Sequence, residues 1–555
     1  MDSSQVSDKL WDYIFVGGGL SASVVSHRLY EHDSNLKILI VEAGPNVNDR
    51  ADIVWPNSTN LIGGEFDWKY NTTSQANLNG RSISLPCGKA LGGGTAINSN
   101  GWVRGDKFDY DLWGEKVHDK RWTYEGLLPF MRKSEHFWSD SINRMQHGHN
   151  GPAFIQSVTS TNRPFPLRDY ALQAWGEIGI DALPHLDGNV GNPLGVGELQ
   201  ENKMSGRREI ASSIYSLDGI TVLTETAVEK LLIEETAPGQ LVAVGIKLQN
   251  GTGICGRETI VSAGAVRSPQ LLMLSGIGPS EELTKFNIPV LLNHPHIGKN
   301  LMDHTLFHHA WKVKDPTAGW ALGSPNHLFR EPQYGWGTPS DFVVSSDIPK
   351  DGLISAIAED EGITPGPTHP LLLKRTFVEH VFMYAGAPDG SLVTLAAIVM
   401  LPTSHGAIKL TSANASDPPL IDPNYVSTAV DRYVLREAVK LQIKYADSNE
   451  TIIGREILNG EAGIPGFDEP FSIHSTDEYI DARVRAGVGS CFHPMGSVAM
   501  GTVLDTNLKV RGVNNLRVVD TSVFPIPITG HLQVATFAMA EQAAEIIFSD
   551  RERGT

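Results

Sequence analysis

The stretch WDYIFVGGGLSASVVSHRLYEHDSNLKILIVEAG, residues 11–44, decides the fold. Residues 13–16 form a short β-prone run, and three glycines follow. A segment with apolar Val24, Val25 and Leu29 at helical spacing comes next, then a second apolar run, Ile38–Val41, closed by Glu42. Strand, turn, helix and strand in this order make a βαβ unit. Gly17 permits the tight turn, and Gly19 lets the main chain approach a pyrophosphate, which the free N–H groups and positive end of the helix then hold. Ala22 takes the third glycine position, where helix-on-strand packing sets the size tolerated. Glu42 stands about 20 residues beyond the glycines, where a carboxylate accepts hydrogen bonds from an adenosine ribose. The reading is a dinucleotide site, with NAD and FAD both open at this point.

The whole chain bounds what can be built around that unit. Its 555 residues exceed what one hydrophobic core usually supports, so two or more joined domains are expected. A content of 41% hydrophobic and 19% charged residues is ordinary globular composition. The net charge of −18 repels phosphate backbones and anionic lipid, so neither nucleic acid nor a membrane surface is expected as a partner. Three cysteines without CxxC spacing indicate neither a disulfide framework nor a zinc knuckle. No apolar run approaches the roughly 18 residues of a membrane span. The polar start MDSSQVSDKLWDY lacks a signal's basic and apolar regions, so a cytoplasmic protein is expected, with a secreted one whose signal was removed as the alternative.

Three further stretches carry chemistry. In CGKALGGGTAINSNGWVRGDKFDYDLW, residues 87–113, Gly88 and Gly92, Gly93 and Gly94 leave a main chain too bare for core packing, suited to lying against something flat or charged. SAGAVRSPQLLMLSGIGP, residues 262–279, reads as an apolar helix led in by Ser268 and Pro269 and closed by Gly276. Near the carboxyl end, CFHPMGSVAMGT (491–502) and ITGHLQVATFAMAEQAAE (528–545) each place one histidine in a Gly- or Thr-rich context. The other histidines, including the sequence cluster His294, His296, His304, His308 and His309, lack the HExxH or carboxylate spacing of a zinc site, and no GxSxG elbow is present.

Taken together, these motifs resemble those of the glucose-methanol-choline (GMC) family of FAD-dependent oxidoreductases. The first family signature corresponds to Gly88 through Gly105 and the second to residues 264–278, with IGKNLMDH (297–304), LIDPNY (420–425) and NLRVVDTSVFP (515–525) in support. The pattern is most similar to the branch of aryl-alcohol oxidase, furfuryl-alcohol oxidase and choline dehydrogenase. The resemblance resolves the dinucleotide as FAD. It implies an α/β and α+β architecture, in which a Rossmann-like FAD-binding domain takes residues 8–160, 200–305 and 485–548. A substrate-binding domain on an antiparallel sheet takes residues 160–200 and 305–485. Within the latter, residues 311–370, rich in Pro, Gly and aromatics, read as long irregular loops.

The same resemblance assigns residues. His493, in His-Pro-Met-Gly-Ser, matches the family's base, and His531 matches its partner, which is His in some members and Asn in others. Flavin oxidation of an alcohol needs such a base beside the hydroxyl while a hydride passes to flavin N5. Gly92 and Gly93 belong to the second glycine-rich contact, and Thr95 and Gln533 would lie near the isoalloxazine edge. The Val228 main chain would meet the adenine and Asp520 the pyrophosphate. Asn98 stands where some relatives carry a histidine bonded to the flavin, which implies non-covalent FAD. The implied activity is oxidation of a primary alcohol, aromatic or allylic, to the aldehyde, with oxygen or another electron acceptor completing turnover. A redox-neutral lyase of the hydroxynitrile-lyase kind is the alternative, and a monomer or homodimer is expected.

Overall fold

β1 (Trp11–Val16) starts two residues before the run predicted from sequence and pairs in parallel with β2 (Ile38–Val41), Tyr13 opposite Ile38 and Val16 opposite Val41. The crossover between them is α1 (Leu20–His32), which buries Val24, Val25 and Leu29. All four β2 residues are buried, as expected of a parallel strand covered on both faces. The structure, a computed structural model, describes residues 4–55, 61–139 and 143–554, so residues 1–3 of the polar amino-terminal stretch lie outside it.

The first sheet runs β3 (Thr221–Leu223), β2, β1, β6 (Gly253–Val261), β5 (Gln240–Leu248), β4 (Val228–Ala237). β3, β2, β1 and β6 are parallel, β4 to β6 form an antiparallel meander, and Leu516–Val518 adds in parallel beside β6. The strand order thus reverses direction beside β1, the place where open α/β sheets bind ligands.

α2 (Gly264–Leu274) corrects the sequence reading, because it begins four residues before Ser268 and carries Pro269 in its interior. A proline there removes the N–H that would meet the Ala265 carbonyl. The Ser497 hydroxyl donates to that carbonyl instead, at 2.6 Å. The helix therefore survives its proline, and Ser268 is free to donate its hydroxyl to Asp520.

The second sheet is antiparallel throughout. Its order is Leu458–Glu461, β7 (Thr305–Val313), β10 (Leu392–Val399), β9 (Val378–Met383), β8 (Phe342–Ser346), Gly195–Glu198. α3 (Ala429–Asp447) buries Val434, Leu435, Ala438, Val439 and Ile443 in the core on one side of it. Side chains alternate across the sheet, so Phe382, Leu395, Ala397 and Val399 fill that core while Leu306, Val381 and Ile398 look the other way, into a cavity. The expectation of irregular loops over residues 311–370 holds for residues 314–341 and 362–370 and is corrected for the rest. Trp311 lies in β7, β8 follows, and Lys350–Glu361 is a helix that buries Leu353, Ala356 and Ile357 and ends on Gly362 at φ +74°. The apolar spacing of Leu353, Ala356 and Ile357 overrides the loop-like composition around it.

Two large cores result, one around each sheet, and they interleave along the chain. Leu78 and Ile83 join the second core, whereas Ile408, Leu410 and Ile421 join the first. Among the described residues no helix is long and apolar enough to cross a membrane.

Candidate active site

The two glycine-rich stretches interlock. Gly17 has φ +95°, and a Cβ there would stand 2.5 Å from the Ser262 carbonyl oxygen. Gly93 has φ +57°, and its Cβ would stand 2.8 Å from the Gly19 Cα. Main chain thus lies directly on main chain, and the Gly92 N–H donates to the Gly18 carbonyl at 2.8 Å. Beside them the Glu42 carboxylate accepts from the Gly18 and Gly44 N–H groups, each at 2.7 Å. Burial pushes its pKa up to about 7, against the pull of these two donors. Asp520 accepts from the Gly264 N–H at 2.9 Å and from Ser268, and burial raises its pKa too.

Gly17, Glu42 and Asp520 line one cavity of about 770 Å³, together with Gly19, Gly93, Thr95, Asn98, Val228, Gln533, His493 and His531. Of the residues assigned to cofactor or catalysis from the sequence, Gly92 alone stands behind the wall. At φ +92° it faces Ile210, 2.2 Å from where its Cβ would be, and acts through its N–H. The cradle, an extended cavity, the amino-terminal end of α1 and a buried acid at the strand end fit a dinucleotide carrying a pyrophosphate and an adenosine ribose.

The reactive end of the cavity is built from residues distant in sequence. His531 caps the amino terminus of α4 (Leu532–Glu552), and its N–H is tied to the Val103 carbonyl at 2.9 Å. Its Nε2 lies 2.9 Å from the Glu379 Oε1, a fully enclosed carboxylate on β9. Burial lowers the His531 pKa, but the Glu379 charge and hydrogen bond outweigh it, so the net displacement is upward. A Cβ on Gly101 would stand 2.6 Å from the His531 ring, so glycine there is what gives the imidazole its place.

His493 lies with its ring centroid 5.1 Å from that of His531. Burial, with the His304 and His531 rings adding to it, drives its pKa well below the ordinary value. Its N–H donates to Asp303 Oδ1 at 2.8 Å, and its Nδ1 lies 2.9 Å from the His304 Nδ1. Asp303 also accepts from Tyr425 and Ser490, and the Ser490 hydroxyl receives the Phe492 N–H at 2.7 Å. Phe492 itself sits at φ +65°, a left-handed conformation costly for a bulky side chain. It is 38% exposed and lines the cavity.

Asn98 is hydrogen-bonded through both its amide nitrogen and its amide oxygen. Its amide nitrogen donates to Gln533 Oε1 at 3.2 Å, its side-chain oxygen accepts from Arg208 at 2.8 Å, and its carbonyl accepts from Arg208 as well. Arg208 also reaches the Thr95 carbonyl at 2.8 Å. This guanidinium has no acid partner among the described hydrogen bonds, and burial lowers its pKa to about 9. Gln533 donates to the Gly101 carbonyl at 2.6 Å.

Sequence reasoning missed Asp303, His304, Glu379 and Arg208. In the sequence IGKNLMDH serves as a supporting phrase and His304 as one of a histidine cluster without zinc spacing, although an Asp-His pair entering an apolar strand is a buried-polar signal. The Glu379-His380 pair inside the β-prone run VEHVFM carried the same signal.

Comparison with known proteins identifies the family. Two profiles of the GMC oxidoreductase family match residues 11–306 and 402–540. The chain belongs to the GMC oxidoreductases, flavoproteins that bind FAD. It is 34% identical over 98% of its length to the GMC-type oxidoreductase acuG of Aspergillus aculeatus, covering 99% of that protein. It is 32% identical over 97% of its length to mitochondrial choline dehydrogenase of Homo sapiens, covering 89% of it. The crystal structure of pyridoxine 4-oxidase from Mesorbium loti superposes with a TM-score of 0.80 at 25% identity, over 97% of this chain and 99% of that one.

Proposed function

We propose that this oxidoreductase converts a primary alcohol, aromatic or allylic, to the aldehyde. The observation that carries the reading is the placing of two histidines in one cavity, ring centroids 5.1 Å apart, one against another imidazole and the other against the Glu379 carboxylate, surroundings that displace their pKa values in opposite directions. Environments that push neighbouring groups apart assign acid and base roles. His493, held neutral, takes the hydroxyl proton as the O–H bond breaks. His531, whose proton Glu379 holds more tightly, donates to the substrate oxygen as negative charge grows on it. FAD, when bound, supplies the acceptor for the hydride that leaves the same carbon. Oxygen or another carrier removes the electrons afterwards.

The cavity wall of Leu306, Val381, Met383, Ile398 and Phe492 suits an apolar, flat substrate. That acuG, choline dehydrogenase and pyridoxine 4-oxidase are named as oxidoreductases supports redox chemistry and gives the lyase reading no support. On this reading the first sheet and residues 8–160, 200–305 and 485–548 hold FAD through Gly17, Gly19, Glu42, Gly93, Val228 and Asp520, and the second sheet, with residues 160–200 and 305–485, meets the substrate.

The test is anaerobic addition of benzylic, furfuryl and aliphatic alcohols. Flavin absorbance should bleach with an aromatic or allylic member and return when oxygen or an artificial acceptor is admitted. Product formed while the flavin stays oxidised would overturn the reading. Because Asn98 offers an amide already paired with Gln533 and Arg208, FAD is held without a covalent bond. Acid precipitation should therefore leave yellow flavin in the supernatant, and flavin retained in the pellet would contradict this.

A further inference from the structure

Two histidines line the reactive end of the cavity and a third stands behind one of them; the chemistry above uses the two. The third, His304, is fully enclosed, and its ring stands at 88° to that of His493 with the two Nδ1 atoms 2.9 Å apart. A hydrogen bond between two neutral imidazoles holds one proton, so one ring donates and the other accepts. Burial keeps His304 neutral, its pKa pushed down to about 3.

The role proposed for His493 chooses the direction, because a base needs a bare nitrogen facing the cavity and its Nδ1 is taken by His304. The His304 Nε2 is enclosed and makes no hydrogen bond among the described residues. With its proton on Nε2, His304 presents a bare Nδ1 to its neighbour. His493 must then carry its own proton on Nδ1, and its Nε2, which makes no hydrogen bond among the described residues, is the bare nitrogen left to the cavity. The neighbouring Asp303 pins the His493 main chain through its N–H at 2.8 Å. One dipeptide thus fixes both the backbone and the ring of the base.

We propose that His304 is a positioning residue: by accepting the Nδ1–H of His493 it selects the tautomer whose Nε2 can receive the substrate proton. This rests on the proposed role of His493. The hydrogen bond made by one ring nitrogen sets the state of the other, and losing such a partner costs activity by about 10- to 100-fold.

The experiment compares His304→Asn, His304→Leu and His493→Ala as flavin-loaded enzymes. The probe is benzyl or furfuryl alcohol, whichever reduces the wild-type flavin faster. An asparagine amide oxygen overlies the imidazole Nδ1 and keeps an acceptor, whereas leucine keeps bulk and removes it. His304→Leu should slow flavin reduction about 10- to 100-fold with KM and flavin occupancy unchanged, while His304→Asn stays within about threefold of wild type. Wild-type rates in His304→Leu, or equal losses in both variants, overturn the proposal. If leucine prevents flavin retention, His304→Gln replaces it. Its amide reaches the Nε2 position, so it should be as slow as leucine was expected to be, and a Gln variant as fast as Asn is the contrary result. A normal rate in His493→Ala would instead refute the base assignment itself, which separates the two failures.

Discussion

At the scale of single residues, the site separates two chemically identical side chains by what surrounds them. His493 faces other imidazoles and burial, so it is neutral, whereas His531 faces the Glu379 carboxylate, so it holds its proton longer. The pH dependence follows with a definite sign. A base whose pKa is far below the ordinary value stays competent as pH falls through 6, so His493 itself should put no acid limb on the flavin-reduction profile. A donor whose pKa is raised keeps its proton below that value and loses it above, so the rate should fall on the alkaline side. His531→Asn should abolish that alkaline fall, because an amide does not titrate. Stopped-flow reduction from pH 5 to 10 reads this directly, and an alkaline limb that persists in the Asn variant would move the titration to another group. His493 and His531 could be found in the sequence because each sits in a recognisable local motif. Glu379 and His304 could not be given roles, since their partners lie 152 and 189 residues away. Local pattern does not specify contacts closed by the sheet.

At the scale of elements, the βαβ unit was legible because its signals are all local: an alternation of strand and helix periods around glycines that the main-chain contact requires. Gly93 shows how strict that requirement is. Its φ of +57° and the 2.8 Å approach of a Cβ to Gly19 leave neither the conformation nor the space for a side chain. Gly93→Ala should therefore part the two loops, cost about 1–2 kcal/mol from backbone conformation alone, and lower the flavin-to-protein absorbance ratio. Gly176→Ala, where a Cβ meets open space, should leave both stability and flavin content unchanged. Equal behaviour of the two variants would deny the close approach a role. α2 and the helix Lys350–Glu361 were less legible. Pro269 reads as a helix start, and only the Ser497 hydroxyl, distant in the chain, lets it sit inside. Around Lys350–Glu361, Pro- and Gly-rich flanks masked three apolar residues at helical spacing.

At the scale of the molecule, the chain builds its two sheets from interleaved segments, so the cavity is walled by glycine loops from one and by apolar side chains from the other. The antiparallel sheet puts one set of alternate residues into its own core and the other set into the cavity. That the chain holds two or more domains was legible from its length, and their two sheets only from the resemblance to the GMC family. Where the cores exchange segments was not, because Leu78, Ile83 and Ile408 carry no local mark of which core they join. The account joins these scales in one claim, that His493 takes the substrate proton while His531 steadies the oxygen. The most direct measurement is anaerobic stopped-flow reduction of His493→Ala and His531→Asn at saturating alcohol. His493→Ala should lose about 10²- to 10⁴-fold with the flavin spectrum intact, and His531→Asn much less, since an amide still donates to the oxygen. A larger loss in His531→Asn would exchange the two roles, and little loss in either would contradict the mechanism.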